Sequence, residues 1–282
     1  MTAVEQFQTL RPHLFGLAYR ALGSRADAED VVQDAFLRWQ SVDEQVESPK
    51  AYLTTIVSRL ALDQLKSARR KREEYVGVWL PEPVMTGASP EDTVEMAESL
   101  STAFLFVLEA LGPEERVAFL LHDVFAYEYA EIAETLQTSE ANARQLVSRA
   151  RKHVRDRRPK FKVDPAQHRD VLQAFHGAAM RNDVGTLTGL LRQDAVLYSD
   201  GGGKASAAVN PVYGADRVAR FFAGIAKKAT AEVGWKIEDS GGVPSLLLSD
   251  QGAVVTLITF DLDEDGRIAT VLVHRNPDKL PS

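Results

Sequence analysis

The sequence predicts a multidomain chain, with two all-α modules followed by an α+β module. Three observations carry this. Apolar residues recur at three- and four-residue spacing from Phe7 to Val154, as in amphipathic helices. Beyond Pro159 the spacing changes, and short strand-like runs appear at 195–199, 232–238, 243–248, 253–260 and 268–274. The 282 residues, 45% hydrophobic and 26% charged, have ordinary globular composition and suffice for about two or three domains.

The first helix buries Phe7, Leu10, Leu14, Leu17 and Ala18 on one face, and Gly23-Ser24 breaks it. A second helix resumes with Val31, Val32, Ala35, Phe36 and Trp39 inward and Asp27, Glu29 and Asp30 near its start, where carboxylates suit the helix dipole. Ser48-Pro49 signals a third helix with Tyr52, Ile56, Leu60 and Ala61 facing inward. Residues 75–93 hold Trp79-Leu80-Pro81-Glu82-Pro83, in which two prolines forbid helix and favour an extended segment. This is a linker, yet its Tyr75, Trp79 and Leu80 are large apolar groups that need a surface to cover.

Helices return at 99–158. Phe104, Val107 and Leu111 belong to one, and Gly112-Pro113 starts the next. Then comes a tight pair: Tyr129 to Leu136, a turn at Gln137-Thr138, and a helix capped by Ser139 with Ala143, Leu146, Val147 and Ala150 on one face. A short helix, a brief turn and a long basic helix read as a helix-turn-helix. In the last third, helices over 164–180, 183–191 and 215–228 surround strands at 195–199 and 205–209 and the four later runs. A curved sheet with helices on one side is the economical packing.

Charge is unevenly placed. The net charge of −7 hides six basic residues in 59–72 and nine in 144–162, together 15 of the 33 in the chain. Between them, 73–98 carries Glu73, Glu74, Glu82, Glu91, Asp92, Glu95 and Glu98 and no basic residue. Two separated basic helices predict two contacts on a polyanion, because clustered Lys and Arg neutralise phosphates. With no Cys, disulfides, thiolate catalysis and thiolate-bound zinc are excluded, and the six His lack metal-ligand spacing, so neither a metal nor a cofactor is expected. No apolar run approaches a membrane span and no signal-like stretch follows Glu5, so a cytoplasmic protein without a membrane partner is expected.

Several of these segments resemble bacterial sigma factors of the extracytoplasmic-function (ECF) class. Residues 28–39, Ala-Glu-Asp-Val-Val-Gln-Asp-Ala-Phe-Leu-Arg-Trp, resemble that family's polymerase-clamp helix. Ala51 to Ile56 with Leu60 to Leu65 resembles its promoter-melting segment, and Leu111 to Glu115, Tyr129 to Ala133 and Ser148 to Arg151 resemble its helix-turn-helix domain. The last third resembles the SnoaL-like (NTF2-like) extension of one ECF subgroup, whose marks are Trp79-Leu80-Pro81-Glu82-Pro83, Asp200-Gly201-Gly202-Gly203-Lys204 and Asn276-Pro277-Asp278-Lys279-Leu280. Two departures stand out: Arg59 where many members have Asn, and Gln145-Leu146 where Ser-Arg is common, which puts Leu146 at a DNA-facing position.

The resemblance implies region 2 at 1–74, an acidic linker at 75–98, region 4 at 99–160 and a SnoaL-like domain at 164–282. It implies a non-enzymatic RNA polymerase specificity subunit that directs the core enzyme to promoters. Its partners would be core polymerase, at the β′ clamp and β flap, and promoter DNA. Asp30, Gln33, Asp34 and Arg38 would meet the clamp. Arg59, Gln64, Lys66 and Arg69 would hold melted promoter DNA, as cationic and pocket groups do for flipped bases. Asn142, Arg144, Gln145 and Ser148, with Glu140, would face base edges, and Arg149, Arg151 and Lys152 phosphates. The three subgroup motifs would regulate the sigma regions from within the chain. The alternative is a small-molecule enzyme or ligand sensor, with Asp200, Lys204, His176, Tyr198, Tyr213 and His274 lining a ligand cavity in the cone; against a site there, Asp200 and Lys204, four apart across three glycines, suit a turn closed by their own ion pair at least as well.

Overall fold

A computed structural model describes residues 2–42, 46–85, 100–157, 164–227 and 233–281. The chain divides into two compact units: Met1–Glu74 with Val107–Arg157, and Tyr75–Phe106 with Arg158–Ser282. Gly87, Pro90, Glu91, Asp92, Glu95, Glu98, Lys160 and Lys162 lie outside the described residues, as do the side chains of Arg69, Arg70, Lys71, Arg72, Glu73 and Arg157.

The first unit begins with three helices, α1 (Ala3–Leu22), α2 (Arg25–Gln40) and α3 (Pro49–Glu73). A capping box between Thr2 and Glu5 starts α1, Gly23 in the left-handed region (φ 70) ends it, and Ser24 caps α2. Leu14, Leu17, Val31, Val32, Ala35, Leu53, Val57 and Ala61 are buried between them. Trp39 is anchored by an indole N–H donated to the Ala3 carbonyl at 2.7 Å. Tyr52, expected inside, is 37% exposed and leans its ring on Trp39 instead. It follows one residue after the half-buried Ala51 and shares no face with the buried Leu53 and Val57.

After α4 (Thr102–Leu108) come α5 (Pro113–Phe119), a π-helical turn over Leu120–Val124, α6 (Tyr129–Thr135) and α7 (Glu140–Arg157). Gln137 at φ 53 turns the chain between α6 and α7, which gives the expected helix-turn-helix. The stripe Ala143, Leu146, Val147, Ala150 and Val154 is fully packed. Leu146 is therefore a core residue and not DNA-facing, because it stands three residues from Ala143 and four from Ala150 on one helical face. The two helical modules pack together: Lys66 pairs with Glu114 at 2.9 Å, Tyr127 donates its hydroxyl to Thr54, and the buried Arg116, ion-paired to Glu109, donates to the Arg20 carbonyl.

The second unit contains α8 (Pro165–Met180), α9 (Val184–Leu190), β1 (Leu191–Asp200), β2 (Val212–Tyr213), α10 (Ala215–Ala226), β3 (Gly234–Ser240), β4 (Val243–Asp250), β5 (Ala253–Leu262) and β6 (Ile268–His274). The strands form one sheet in the order β2-β1-β6-β5-β4-β3, with β1 and β6 parallel and the other pairs antiparallel. No strand forms over 205–209. That stretch is a loop whose start is folded back by Lys204 and Ala205 N–H groups donated to the Gly201 carbonyl, and Arg275 holds the Ser206 carbonyl.

Alternation along the strands gives the sheet two different faces. Ala195, Leu197, Leu246, Ile258, Phe260, Val271 and Val273 point inward under α8, α9 and α10, where Phe175 meets Phe222 and Phe260 edge-on at 4.8 Å. The opposite face carries Tyr198, Asp200, Ser245, Leu247, Leu257, Thr259, Leu272 and His274, and apart from the half-buried Tyr198 it is also buried. Residues 75–85 and the start of α4 lie on it. The Val84 carbonyl accepts the Gly241 N–H, Met85 bridges Ser240, and the Phe106 ring packs 4.8 Å from that of Tyr198.

Candidate functional site

On α2, burial and exposure separate cleanly. Val31, Val32, Ala35 and Trp39 face the core, while Asp30, Gln33, Asp34, Leu37 and Arg38 form an exposed face. Leu37 is 56% exposed and adds an apolar contact to the four polar groups. Sequence reasoning missed it, although its position four residues after Gln33 places it on the same helical face.

On α3, three described candidates are already engaged. Arg59 donates to the carbonyls of Glu134 and Thr135 at 2.9 Å each, Gln64 donates to Asp27 at 2.8 Å, and Lys66 has its ion pair with Glu114. Thr55 and Thr135 hydroxyls lie 3.2 Å apart beside Arg59.

On α7, Arg144, Gln145, Ser148, Arg149, Arg151 and Lys152 are exposed on the side opposite the packed stripe. Arg144, Arg149, Arg151, Lys152 and Arg155 line an open groove of about 360 Å³ together with Tyr129 and Ser148. Glu140 pairs with Arg144 at 2.5 Å, and Asn142 is turned inward to the Thr138 hydroxyl at 2.8 Å. Arg149 is held by Glu115 at 2.8 Å and Arg151 by both oxygens of Asp123. The Asp123 carboxylate and its hydrogen bond keep the Arg151 guanidinium above its ordinary pKa. These carboxylates hold the cations in place and leave the rest of each guanidinium exposed.

The three subgroup motifs meet within the second unit. Asp200 is completely buried at the end of β1 and is fully satisfied. Its oxygens accept the Tyr75 hydroxyl at 2.5 Å, the Leu80 N–H at 2.9 Å, the Gly202 N–H at 3.0 Å and the Lys279 ammonium at 2.8 Å. Lys279 also donates to the Leu80 carbonyl and sits against the rings of Trp79 and Tyr75, 4.1 and 5.1 Å from their centroids. Asn276 donates to the Tyr75 hydroxyl, and the buried His274 donates its Nε2 proton to the Pro81 carbonyl at 2.9 Å. Burial first, then the Asp200 contact, push the Tyr75 phenol well above its ordinary pKa. Gly202, at φ 59, has no room for a Cβ because the Asn276 carboxamide lies against it.

Two ion pairs cross between the Asp200 loop and the 276–280 segment: Asp200 to Lys279, and Lys204 to Asp278 at 2.5 Å. The expected pairing of Asp200 with Lys204 inside one turn is not formed, because Asp200 points into the sheet's covered face and Lys204 out to solvent. Pro277 is exposed and Leu280 half-buried, Pro81 and Pro83 are buried, and Glu82 is half-buried. The expected ligand cavity does not assemble from its six residues. Asp200, Tyr198 and His274 are on the outer face, away from the cone's interior. The His176 ring stacks on Trp235 at 4.3 Å, and Tyr213 is 58% exposed. Among the described residues no cluster of acidic and His side chains is arranged to hold a metal ion, and no helix is long and apolar enough to cross a membrane.

Two packed helical modules, one ending in a cationic helix-turn-helix groove, joined to a sheet-and-helix cone, define a promoter-reading subunit of RNA polymerase. The models for Sigma-70 region 2 and Sigma-70 region 4 match residues 6–71 and 101–154. The chain belongs to the ECF RNA polymerase sigma factor family. It is 42% identical over 294 residues to the ECF RNA polymerase sigma factor SigJ of Mycobacterium tuberculosis strain H37Rv, covering 98% of this chain and 93% of that one. The crystal structure of Mycobacterium tuberculosis extracytoplasmic function sigma factor SigJ matches with a TM-score of 0.76 at 39% identity, over 98% of this chain and 97% of that one. Sigma factors bind core RNA polymerase and promoter DNA, and this chain has their regions in the expected order, followed by the α+β cone that the NTF2-like resemblance implies.

Proposed function

We propose that this chain initiates transcription in the cytoplasm and that its cone regulates it by holding the linker. In this reading the exposed α2 face of Asp30, Gln33, Asp34, Leu37 and Arg38 meets the β′ clamp, and the second helical module meets the β flap. Arg59, Gln64, Lys66 and Arg69 take melted promoter bases, and the α7 groove reads duplex DNA. The cone is neither an enzyme nor a small-molecule sensor here. Its polar groups serve the linker.

The observation that carries the regulatory part is the Asp200 carboxylate, with four donors drawn from Tyr75, Leu80, Gly202 and Lys279. Two of those donors, Tyr75 and Leu80, belong to the stretch 75–85, so the buried Asp200–Lys279 pair is a central contact holding it, beside His274 to Pro81 and Gly241 to Val84. Holding residues 75–85 on the sheet limits the conformations open to the acidic connection between the two sigma regions, and so couples the cone to how both regions engage the polymerase.

Promoter-specific transcription with reconstituted core polymerase tests this, comparing the full chain, Lys279→Met, Trp79→Ala and a chain ending near Lys160. Lys279→Met and Trp79→Ala should change transcription in the same direction while retaining helical content and DNA binding. Unchanged transcription with a linker shown by proteolysis to be released would leave the cone without a regulatory role.

A further inference from the structure

Tyr129 opens α6, outside the helix that enters the DNA groove, and none of the expected DNA-binding residues includes it. Its ring nevertheless lies beneath the Arg144 guanidinium, whose central carbon is 4.3 Å from the ring centroid. The same ring packs against His122, centroid to centroid at 4.4 Å. His122 is itself held, since its Nδ1 lies 3.0 Å from Arg151 Nη2 and must accept that proton. Arg151 is fixed by a two-oxygen contact with Asp123. On its other side Arg144 is tied to Glu140 one turn earlier. The π-helical turn, the start of α6 and the recognition helix are thereby joined through the contacts of His122, Tyr129, Arg144 and Arg151 at the groove.

We propose that Tyr129 is a positioning residue for promoter recognition: its ring, packed against His122, holds the Arg144 guanidinium in place for bidentate contact with one base. This rests on the proposed role of Arg144 in base reading. An exposed arginine with no such support samples many rotamers, and ordering it on DNA costs conformational entropy. A guanidinium already held over an aromatic ring is better ordered for the fork geometry that guanine O6 and N7 accept.

The test uses holoenzyme assembled from the full chain and core polymerase, selecting from promoters randomised across the element bound by α7. Tyr129→Leu and Tyr129→Met remove the ring, Tyr129→Phe keeps it, and Arg144→Ala and the double variant Tyr129→Leu/Arg144→Ala complete the set. Tyr129→Phe, which loses only the hydroxyl beside Arg151, should keep the parent's discrimination at the Arg144 position. The ring-less variants should lose about two- to five-fold of the discrimination at the single base position that Arg144→Ala relaxes, and the double variant should be no worse than Arg144→Ala alone. A ring-less variant that retains its helical melting transition but keeps full discrimination overturns the proposal. So does a loss spread evenly over all sequences, which marks Tyr129 as a phosphate contact, or losses that add in the double variant. If Arg144→Ala relaxes no base position, the assignment of Arg144 fails and the positioning role falls with it.

Discussion

The Nε of Arg59 in α3 lies 2.9 Å from the carbonyl oxygen of Thr135, the last residue of α6. Its Nη2 reaches the Glu134 carbonyl at the same distance. Carbonyls at a helix C-terminus lack intrahelical donors and carry partial negative charge, so a guanidinium is a suitable cap. The residue proposed to hold melted promoter DNA therefore caps the first helix of the helix-turn-helix. On the proposed role, Arg59 would have to leave these carbonyls to hold DNA, which would part the two helical modules at this contact.

Arg59→Ala should accordingly cost the first unit about 1 kcal/mol, since the contact is charged but only partly buried. Amide hydrogen exchange in α6 should rise by about five-fold. Exchange confined to its parent rate would show that the contact contributes nothing to holding α6 against α3.

Asp200→Asn should behave differently from a surface charge change. Lys279 is left as a buried ammonium facing a neutral amide, a loss on the order of 3 to 5 kcal/mol for breaking one side of a buried pair. The expected result is early proteolysis within 75–85 and a lowered Tm of the second unit. Lys204→Ala removes a pair that is more than half exposed on both sides and should leave Tm almost unchanged, within about 0.5 kcal/mol.

Acid should loosen the same contact. Burial lowers His274 from an ordinary pKa of 6.5 to about 4, and His168 likewise to about 4. Each ring is neutral in the folded protein but takes a proton readily when unfolded. Their stabilising contribution is therefore complete above pH 6.5 and lost as pH falls from 6.5 towards 4, by at most about 3 kcal/mol for a fully buried ring. Thermal melts between pH 7.5 and 4 should show this slope, and His274→Gln should reduce it without abolishing it, since His168 and His13 keep their shifts. An equal slope in that variant would assign the effect elsewhere.

Reversing Asp30 and Asp34 to Lys should weaken association with core polymerase at least ten-fold in pull-down while leaving the melting curve of the first unit intact, because both side chains are exposed on α2. Unaltered capture of core enzyme by the reversed protein would move the polymerase contact off this face.

Much of the helical architecture was legible because it is local. The 3.6-residue spacing of Val31, Ala35 and Trp39, the break at Gly23-Ser24 and the Gly112-Pro113 start are all properties of neighbours in sequence. Four of the five expected later strands appear within two residues of their places, whereas the run at 205–209, too small-chained to anchor a strand, is loop. The subgroup motifs were visible but their partners were not: Lys279 lies 79 residues from Asp200, and no periodicity encodes a pairing at that range. Tyr198 and His274 looked like cavity residues because inward and outward faces differ by one register step, which only the paired strands decide.

The Lys279 ammonium is 8% exposed and its Asp200 partner wholly covered, whereas Arg144 and Arg149 are each more than half open to solvent. Mobile ions reach the second pair of groups and not the first. Over a Debye length of about 8 Å at physiological ionic strength, salt screens the exposed cations and displaces them from phosphate, while the covered pair keeps its attraction. On the promoter contact proposed for these cations, added salt would thus weaken the grip on DNA with the linker still fastened. In that reading, the salt dependence of DNA binding and the release of the linker are physically separate inputs.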